Sequence, residues 1–270
     1  MPRNTTRAEP GLRNLSATDR DGSLFVQSVE KALMVMSAFH HADGPLSLSE
    51  LASRAGIDRS AAQRMVHTLR TLGYVRRDPG GHGFIPGIRI LDHTLDCLRL
   101  DPLVRRATPV LQELRKSVRE RVDLSLFDDV RVVYAVRLQT KRQTFNTSLV
   151  GHSVPTFCSS GGWAILSKLP DAQARDIVER SDRRPFTPDT VTTVSQVMDH
   201  VAQTRNKGYA LTINQILSGE IAVAFPVLNN KGAPVAAIHI AGSLAEWTEE
   251  DYVQQVVPLG QQAARAISHY

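Results

Sequence analysis

Apolar residues recur at helical spacing in the first part of the chain and at strand spacing after residue 73. The first helix is predicted from about Leu24 to His40, because apolar residues return there every three or four positions. These positions are Val26, Val29, Leu33, Met36 and Phe39. We expect them to pack on two short helices that follow.

Two helix starts follow from capping chemistry. Ser47 and Glu50 form a capping box, in which each side chain satisfies a backbone N–H of the first turn. Gly56 ends that helix, and Asp58 is the predicted N-cap of the next one. The apolar stripe of this second helix consists of Ala62, Met65, Val66, Leu69 and Leu72. Its opposite side is polar and is left free.

Beyond Gly73 the pattern predicts a short hairpin, with strands near residues 74–77 and 84–85 and a glycine-rich turn between them. One helix, then two helices joined by a tight turn, then a hairpin make a winged helix-turn-helix. The second helix of the turn motif would lie in the major groove of DNA.

The charge distribution favours DNA as the partner. Residues 54–77 contain six arginines and one aspartate, a net charge of +5, whereas residues 91–270 contain 20 basic and 19 acidic residues. A basic surface confined to the motif is what neutralisation of phosphates requires. The predicted base contacts are Ser60, Gln63, Arg64 and His67, and the predicted phosphate contacts are Arg59, Arg70, Arg76 and Arg77. A protein-docking module without DNA binding is the alternative.

A linker helix is predicted over residues 87–101. Its apolar positions are Ile88, Leu91, Leu95 and Leu98. They are either core positions of a one-domain protein or dimer contacts of a connecting helix. A dimer would present two DNA-binding heads to two half-sites.

The remaining chain alternates between helical and strand patterns. Helices are predicted near residues 103–119, 160–169, 171–181, 193–207 and 248–268, and strands near residues 122–127, 130–138, 144–149, 209–213, 221–228 and 235–241. Hairpins flanked by helices are typical of an α+β domain with an antiparallel sheet. The predicted segments are a tail (1–22), a winged helix-turn-helix (23–86), the linker helix (87–101) and the α+β domain (102–270).

Composition excludes several classes of protein. The hydrophobic content is 42%, and no apolar run approaches the ~18 residues of a membrane helix, so no membrane partner is predicted. Cys97 and Cys158 are too few for a disulfide framework or a zinc finger, which is consistent with a reducing cytoplasm. Residues 1–22 lack the apolar centre of a secretory signal and are predicted to be disordered. Neither a cofactor nor a metal is predicted.

Four segments carry the most distinctive motifs of the chain. They are QSVEKALMVMSAF, PLSLSELASRAGIDRSAAQRMVHTLRTLGYVRRD, VGHSVPTFCSSGGWAILSKLP and KGYALTINQILSGEIAVAFPVLNNKGAPVAAIHIAGS. In type and order they resemble the IclR-type transcriptional regulators, and the resemblance extends from about Phe25 to the C-terminus. It implies a winged helix-turn-helix, a linker helix and a GAF-like domain that binds a small organic effector. It also implies dimers that associate into tetramers.

Residues 159–162 lie at a predicted helix start, where free N–H groups and the helix dipole favour a carboxylate. The same residues, Ser159, Ser160, Gly161 and Gly162, also fit an ordinary serine cap with glycines for close packing. The resemblance implies effector contacts at Ser160, Gly161, Thr212, Ala222, His239 and Ala241.

Several of these positions depart from the commoner family pattern. Thr212 stands where many relatives carry an acidic residue, Ala222 where a cysteine is frequent, and His239 where a serine is frequent. We therefore expect an aromatic or medium-sized organic acid of a catabolic pathway rather than a two- or three-carbon oxoacid. His239 either pairs with a carboxylate or donates to a phenolic oxygen of the ligand, or it is a buried structural histidine.

A thiol-dependent or hydrolytic enzyme is the alternative from another class, with Cys158 as nucleophile and His152 as base. No Gly-x-Ser-x-Gly elbow surrounds Ser159 or Ser160, and the spacing of His152, Cys158 and His239 matches no zinc motif. The sequence favours a DNA-binding regulator over an enzyme.

Overall fold

The computed structural model describes residues 24–139 and 150–268. It divides into two compact units, with the boundary between Cys97 and Leu98, inside the predicted linker segment. The finer boundaries at residues 86 and 101 stay predictions. The predicted tail over residues 1–22 and the strand predicted at 144–149 lie outside the described residues.

The first unit begins with three helices and a hairpin in the predicted order. The helices are α1 (Gln27–Ser37), α2 (Leu48–Arg54) and α3 (Arg59–Thr71), and the antiparallel strands are β1 (Val75–Arg77) and β2 (Phe84–Pro86). This is the arrangement of a winged helix-turn-helix, and the prediction is confirmed.

Capping chemistry fixes where α2 and α3 begin. The Ser47 hydroxyl accepts from the Glu50 N–H at 3.2 Å, and the Glu50 carboxylate accepts from the Ser47 N–H at 2.9 Å. The Asp58 carboxylate accepts from the Ala61 N–H at 2.8 Å, and this bond lowers the pKa of Asp58. Gly56 has a φ of +64°, which a residue without Cβ adopts without strain. The side chains of residues 47–58 therefore determine where α2 begins, where it ends and where α3 begins.

The side of α1 that packs on the core is not the side that was expected. The core of this unit consists of Val35, Ala38, Leu46, Leu51, Ala55, Val66, Leu69, Val75 and Phe84. The expectation that Val26, Val29 and Leu33 pack on the helix-turn-helix is wrong, because Val35 and Ala38 supply the inner side and these three residues are exposed. Leu72 is exposed as well, since it is the C-cap of α3 rather than part of its buried stripe.

Helix α4 (Arg89–Leu100) follows the hairpin and carries a second exposed apolar stripe. Ile88, Leu91 and Leu95 are 76%, 63% and 63% exposed. These three are therefore not core positions of the chain, whereas Leu98 packs against the core of the second unit. Because burial of such a side chain is favourable by roughly 1.5–3 kcal/mol, the stripe is suited to contact with a partner.

The second unit is an α+β domain, which confirms the predicted fold class. Its helices are α5 (Pro102–Val118), α6 (Ser160–Leu166), α7 (Asp171–Arg180), α8 (Val194–Lys207) and α9 (Glu249–Ile267). Its strands are β3 (Arg121–Asp128), β4 (Arg131–Leu138), β5 (Ser153–Pro155), β6 (Ala210–Ile213), β7 (Glu220–Leu228) and β8 (Pro234–Ser243). Strand β5 was not expected, because three residues ending in proline give no alternating pattern.

The six strands form an antiparallel sheet in the order β5-β4-β3-β8-β7-β6. Helices α5 and α9 pack on one face of the sheet, and α6, α7 and α8 pack on the other. In the ranges that the structure describes, no helix combines the length and apolarity needed to cross a bilayer. The sheet thus forms the middle of three layers, with a core on each side.

Candidate DNA interface and effector cavity

Helix α3 presents the predicted base-facing residues on one side. Its inner side is held in the core by Ala61, Ala62, Val66 and Leu69. The outer side carries Ser60, Gln63, Arg64 and His67, and all four are exposed. Because residues three and four positions apart are neighbours on a helix surface, these four side chains form one continuous strip.

The predicted phosphate contacts are also exposed. Arg59 and Arg70 lie at the two ends of α3, and Arg76 and Arg77 lie on the hairpin. The Arg77 guanidinium lies 5.1 Å from the centre of the Phe84 ring, a cation–π contact that orients it on the hairpin. Within residues 24–139 and 150–268, no carboxylate forms an ion pair with any of these four arginines. Their charge remains available to an anionic surface.

A cavity of about 590 Å³ lies at the sheet of the second unit. This volume is typical of a small-molecule site. Six of the eight predicted effector residues line it, namely Ser159, Ser160, Thr212, Ala222, His239 and Ala241. Gly161 and Gly162 are not part of its wall.

Residues 159–162 serve as a helix cap and a close-packing point. The Ser159 hydroxyl accepts from the Gly162 N–H at 3.1 Å and donates to the Pro155 carbonyl at 2.8 Å. A Cβ on Gly161 would overlap the His239 ring, and one on Gly162 would overlap the backbone carbonyl of Thr156. Both glycines therefore allow close packing because they have no side chain, as the serine-cap alternative describes.

Sheet register explains which strand residues meet at the cavity. One row across four strands consists of Arg121, Ala241, Ala222 and Thr212. The next row on the same face consists of Arg137, Asp123 and His239. Side chains two positions apart on a strand share a face, so both rows belong to the cavity side of the sheet.

A β-bulge brings Tyr134 and Arg137 to the same face of β4. The register shifts after Leu124, so that Asp123 lies opposite Arg137 whereas Ser125 lies opposite Tyr134. The two positions are three apart in sequence on β4, but their partners are only two apart on β3. In a regular strand of the same sequence, residues 134 and 137 would point to opposite faces.

Two serine hydroxyls occupy the ring nitrogens of buried His239. The Oγ of Ser125 lies 2.7 Å from Nε2, and the Oγ of Ser160 lies 3.2 Å from Nδ1. Burial, together with the nearby Arg121 and Arg137, lowers the pKa of His239 to about 3. The ring is therefore neutral at pH 7, and its contact with an effector carboxylate or phenolic oxygen stays a prediction.

We expect the second unit to lose stability through His239 as the pH falls. The pKa is about 3 in the folded protein and about 6.5 in the unfolded chain, so the unfolded state binds more protons between these values. Stability therefore falls in this window, by about 2 kcal/mol from pH 6.5 to pH 4.5. Urea unfolding followed by Trp163 and Trp247 fluorescence measures it. In His239→Gln this part of the pH dependence should vanish, and an unchanged slope would contradict the expectation.

Two arginines and two acidic residues form an ion-pair cluster at the cavity. Arg121 donates to Glu220 at 2.7 Å and to Asp123 at 3.0 Å, and Nη2 of Arg137 lies 3.4 Å from Asp123. Burial raises the pKa of Asp123, although both arginines oppose this shift. Sequence reasoning missed all four residues. Charged residues inside apolar strands were the available signal, but alternation alone does not say on which face they meet.

The cavity also has an aromatic and apolar wall. The rings of His152 and Tyr134 stack with their centres 6.2 Å apart. Burial raises the pKa of Tyr134, so its hydroxyl stays protonated. The wall also contains Val154, Gln215, Ile216 and Leu217, none of which was a predicted effector contact. An apolar wall with a few charged groups suits a ligand that has an apolar body and a polar end.

Cys158 lacks the properties of a nucleophile. Its side chain is buried, and burial raises the pKa of the thiol well above its usual range. A reactive cysteine is a thiolate in a partly exposed, positive environment. Among the residues that the structure describes, no group of three His, Cys, Asp or Glu side chains could hold a metal ion.

Two family models match the chain. One is described as bacterial transcriptional regulator IclR C-terminal and matches residues 96–269, and the other is the IclR helix-turn-helix domain and matches residues 28–79. The chain is 25% identical to the Pca regulon regulatory protein of Pseudomonas putida, over 91% of this chain and 84% of that protein. It is 27% identical to the p-hydroxybenzoate hydroxylase transcriptional activator of Acinetobacter baylyi, over 87% of this chain and 88% of that protein.

Solved structures share the fold. A transcriptional regulator from Rhodococcus sp. RHA1 is 27% identical, with a TM-score of 0.75 over 90% of this chain and 97% of that one. An IclR homologue from Microbacterium hydrocarbonoxydans, solved with 4-hydroxybenzoate, is 22% identical, with a TM-score of 0.70 over 89% of this chain and 97% of that one. The curated relatives are transcriptional regulators rather than enzymes. Both units are accounted for by the same comparisons, and the chain belongs to the IclR family of bacterial transcriptional regulators.

Proposed function

We propose that the protein binds an operator through α3 and the hairpin, and that an organic acid in the cavity changes this binding. The observation that carries the proposal is the combination, in one chain, of an exposed arginine surface and a cavity lined by two further arginines, Arg121 and Arg137. An acid that binds one arrangement of the protein more tightly shifts operator binding by up to its differential affinity. The protein would act in the cytoplasm, where the operator is.

The proposed effector is an aromatic or medium-sized organic acid of a catabolic pathway. Support comes from the rings of Tyr134 and His152 in the wall and from a volume of about 590 Å³. The Acinetobacter relative is named for a p-hydroxybenzoate hydroxylase, and the same fold holds 4-hydroxybenzoate in the Microbacterium protein. 4-Hydroxybenzoate is an acid of the proposed class.

The proposed DNA-binding species is a homodimer that can associate into a tetramer. Support comes from the exposed apolar stripe of Ile88, Leu91 and Leu95 at the start of α4. A single winged helix reads one half-site, whereas two heads related by symmetry read both halves of a palindrome.

Arg64→Ala should weaken operator binding by about 2 kcal/mol, because an arginine at this position of α3 can donate two hydrogen bonds to a guanine edge. Random duplex of the same length should lose much less. Gel retardation of both duplexes at one salt concentration measures the difference. The matched control is Arg175→Ala, which removes an exposed arginine of the second unit. Equal losses on the two duplexes would reassign Arg64 to the phosphates.

Footprinting of the region upstream of the protein's own gene tests the whole proposal. We expect protection of a specific segment at modest ionic strength, and a change in this protection when aromatic acids are added. Absence of any preference over bulk competitor, with or without the acids, would overturn the regulatory proposal. A specific footprint that no acid alters would overturn only its effector part.

A further inference from the structure

We propose that Arg137 is the residue that binds the carboxylate of an aromatic monocarboxylate effector. This inference rests on the proposed function and names the anchor within the same cavity. The Arg137 side chain is only 5% exposed and lines the cavity. Its Nε and Nη1 atoms have no hydrogen-bond partner within the described residues. Buried guanidinium groups are normally fully paired, so this arginine is incomplete without a further acceptor.

The second arginine of the cavity does not offer the same opportunity. Arg121 donates to Glu220 at 2.7 Å and to Asp123 at 3.0 Å, so two carboxylates already hold it. Arg137 approaches Asp123 only to 3.4 Å, through Nη2. A carboxylate at Arg121 would approach two protein carboxylates that this arginine already binds, whereas one at Arg137 would meet donors that have no partner within the described residues.

The two histidines that line the cavity do not carry the positive charge that would bind an anion. The pKa of His152 is lowered by burial and then by Arg137, and that of His239 by burial and then by both arginines. Of the two acidic groups, Glu220 is 19% exposed and pairs with Arg121. Asp123 is fully buried and pairs with Arg121 through Oδ2, and its Oδ1 has no hydrogen-bond partner within the described residues. Neither histidine adds a positive charge, so the cations of the cavity are the two arginines, and Arg137 is the one with unpaired buried donors.

The position of Arg137 also favours an aromatic acid. Its guanidinium carbon lies 4.0 Å from the centre of the Tyr134 ring, a cation–π contact that orients the group. The His239 ring also contacts Tyr134, and the centres of the two rings are 5.2 Å apart. A ligand carboxylate at Arg137 therefore places the attached ring beside Tyr134, where ring contacts are favourable.

Comparing the affinity of an acid with that of its amide, which has nearly the same shape, isolates the contribution of the carboxylate charge to binding. The probes are benzoate with benzamide and 4-hydroxybenzoate with 4-hydroxybenzamide, titrated into the full-length protein and followed by ligand-observed NMR, which detects weak binding. The variants are Arg137→Met, which keeps side-chain length without charge, and Arg137→Lys. The control is Arg175→Met, at an exposed arginine of the same unit.

We expect the wild type to bind each acid about 30-fold more tightly than its amide, because charge-assisted hydrogen bonds are the stronger ones. In Arg137→Met this ratio should fall to about threefold or less while amide affinity is kept. Arg137→Lys should recover part of the ratio, and the control should keep all of it.

Three outcomes would overturn the proposal, and they differ in whether they also contradict the proposed function. A preserved acid preference in Arg137→Met would assign the carboxylate elsewhere and leave the proposed function intact. Equal loss of acid and amide would show that Arg137 only supports the shape of the cavity. Failure of every acid to bind the wild type would overturn both this inference and the aromatic-acid effector.

Discussion

Replacement of both Leu91 and Leu95 by aspartate is expected to weaken operator binding about 100-fold, or about 2.7 kcal/mol. Both side chains are 63% exposed on α4, and the proposed dimer buries them. Carboxylates in a buried apolar contact carry an unpaired charge, which is strongly unfavourable. The variant should be a monomer that binds one half-site, and it therefore loses the contribution of the second head.

Sedimentation analysis and gel retardation of the same samples measure this effect. The control is Gln112→Asp with Gln173→Asp, which adds the same charge at exposed polar positions of α5 and α7. It should remain a dimer and lose little affinity. A Leu91→Asp/Leu95→Asp protein that sediments as a dimer and binds the operator normally would remove the stripe from the proposed interface.

Gly162→Ala is expected to destabilise the second unit by about 3 kcal/mol, at the upper end of the range for overpacking of a core. The added methyl group would overlap the backbone carbonyl of Thr156. This carbonyl cannot move freely, because the Thr156 N–H donates to the Val130 carbonyl and its hydroxyl donates to the Asp129 carbonyl, both at 2.9 Å. Either the start of α6 or this loop must shift.

Chemical unfolding followed by circular dichroism measures the loss. The matched control is Gly44→Ala, because a Cβ at Gly44 would meet no atom within 4 Å. Such a substitution should change stability by less than about 0.5 kcal/mol. If Gly162→Ala unfolds at the wild-type urea concentration, then α6 and residue 156 are less rigidly packed than the hydrogen bonds imply.

Local chemistry made most of the fold predictable. Ser47, Glu50 and Asp58 act on neighbours in sequence, so the starts of α2 and α3 could be predicted from side-chain type. The side of α1 that would be buried could not, because Val29 and Leu33 form a stripe as regular as the one at Val35. Periodicity shows that a helix has an apolar side. When a helix has two apolar sides, the sequence of the helix alone does not show which one packs on the neighbouring elements.

The effector cavity was predictable where a resemblance supplied positions, and less so elsewhere. Thr212, Ala222 and Ala241 line the cavity as the resemblance implies. Arg121 and Arg137 were missed because they lie 16 positions apart in the chain and come together through strand pairing. The contact between Gly161 and His239 joins residues 78 positions apart, and no local pattern marks it.

The irregularity between β3 and β4 has a consequence for comparing this protein with its relatives. Ala135 has no counterpart on β3, so a relative with a regular strand would carry the equivalent of Arg137 two residues after that of Tyr134, not three. An alignment without a gap at Ala135 would match a side chain that faces the cavity with one on the other face of the sheet. Searches for proteins that share this arginine should therefore follow spatial superposition rather than residue-by-residue counting.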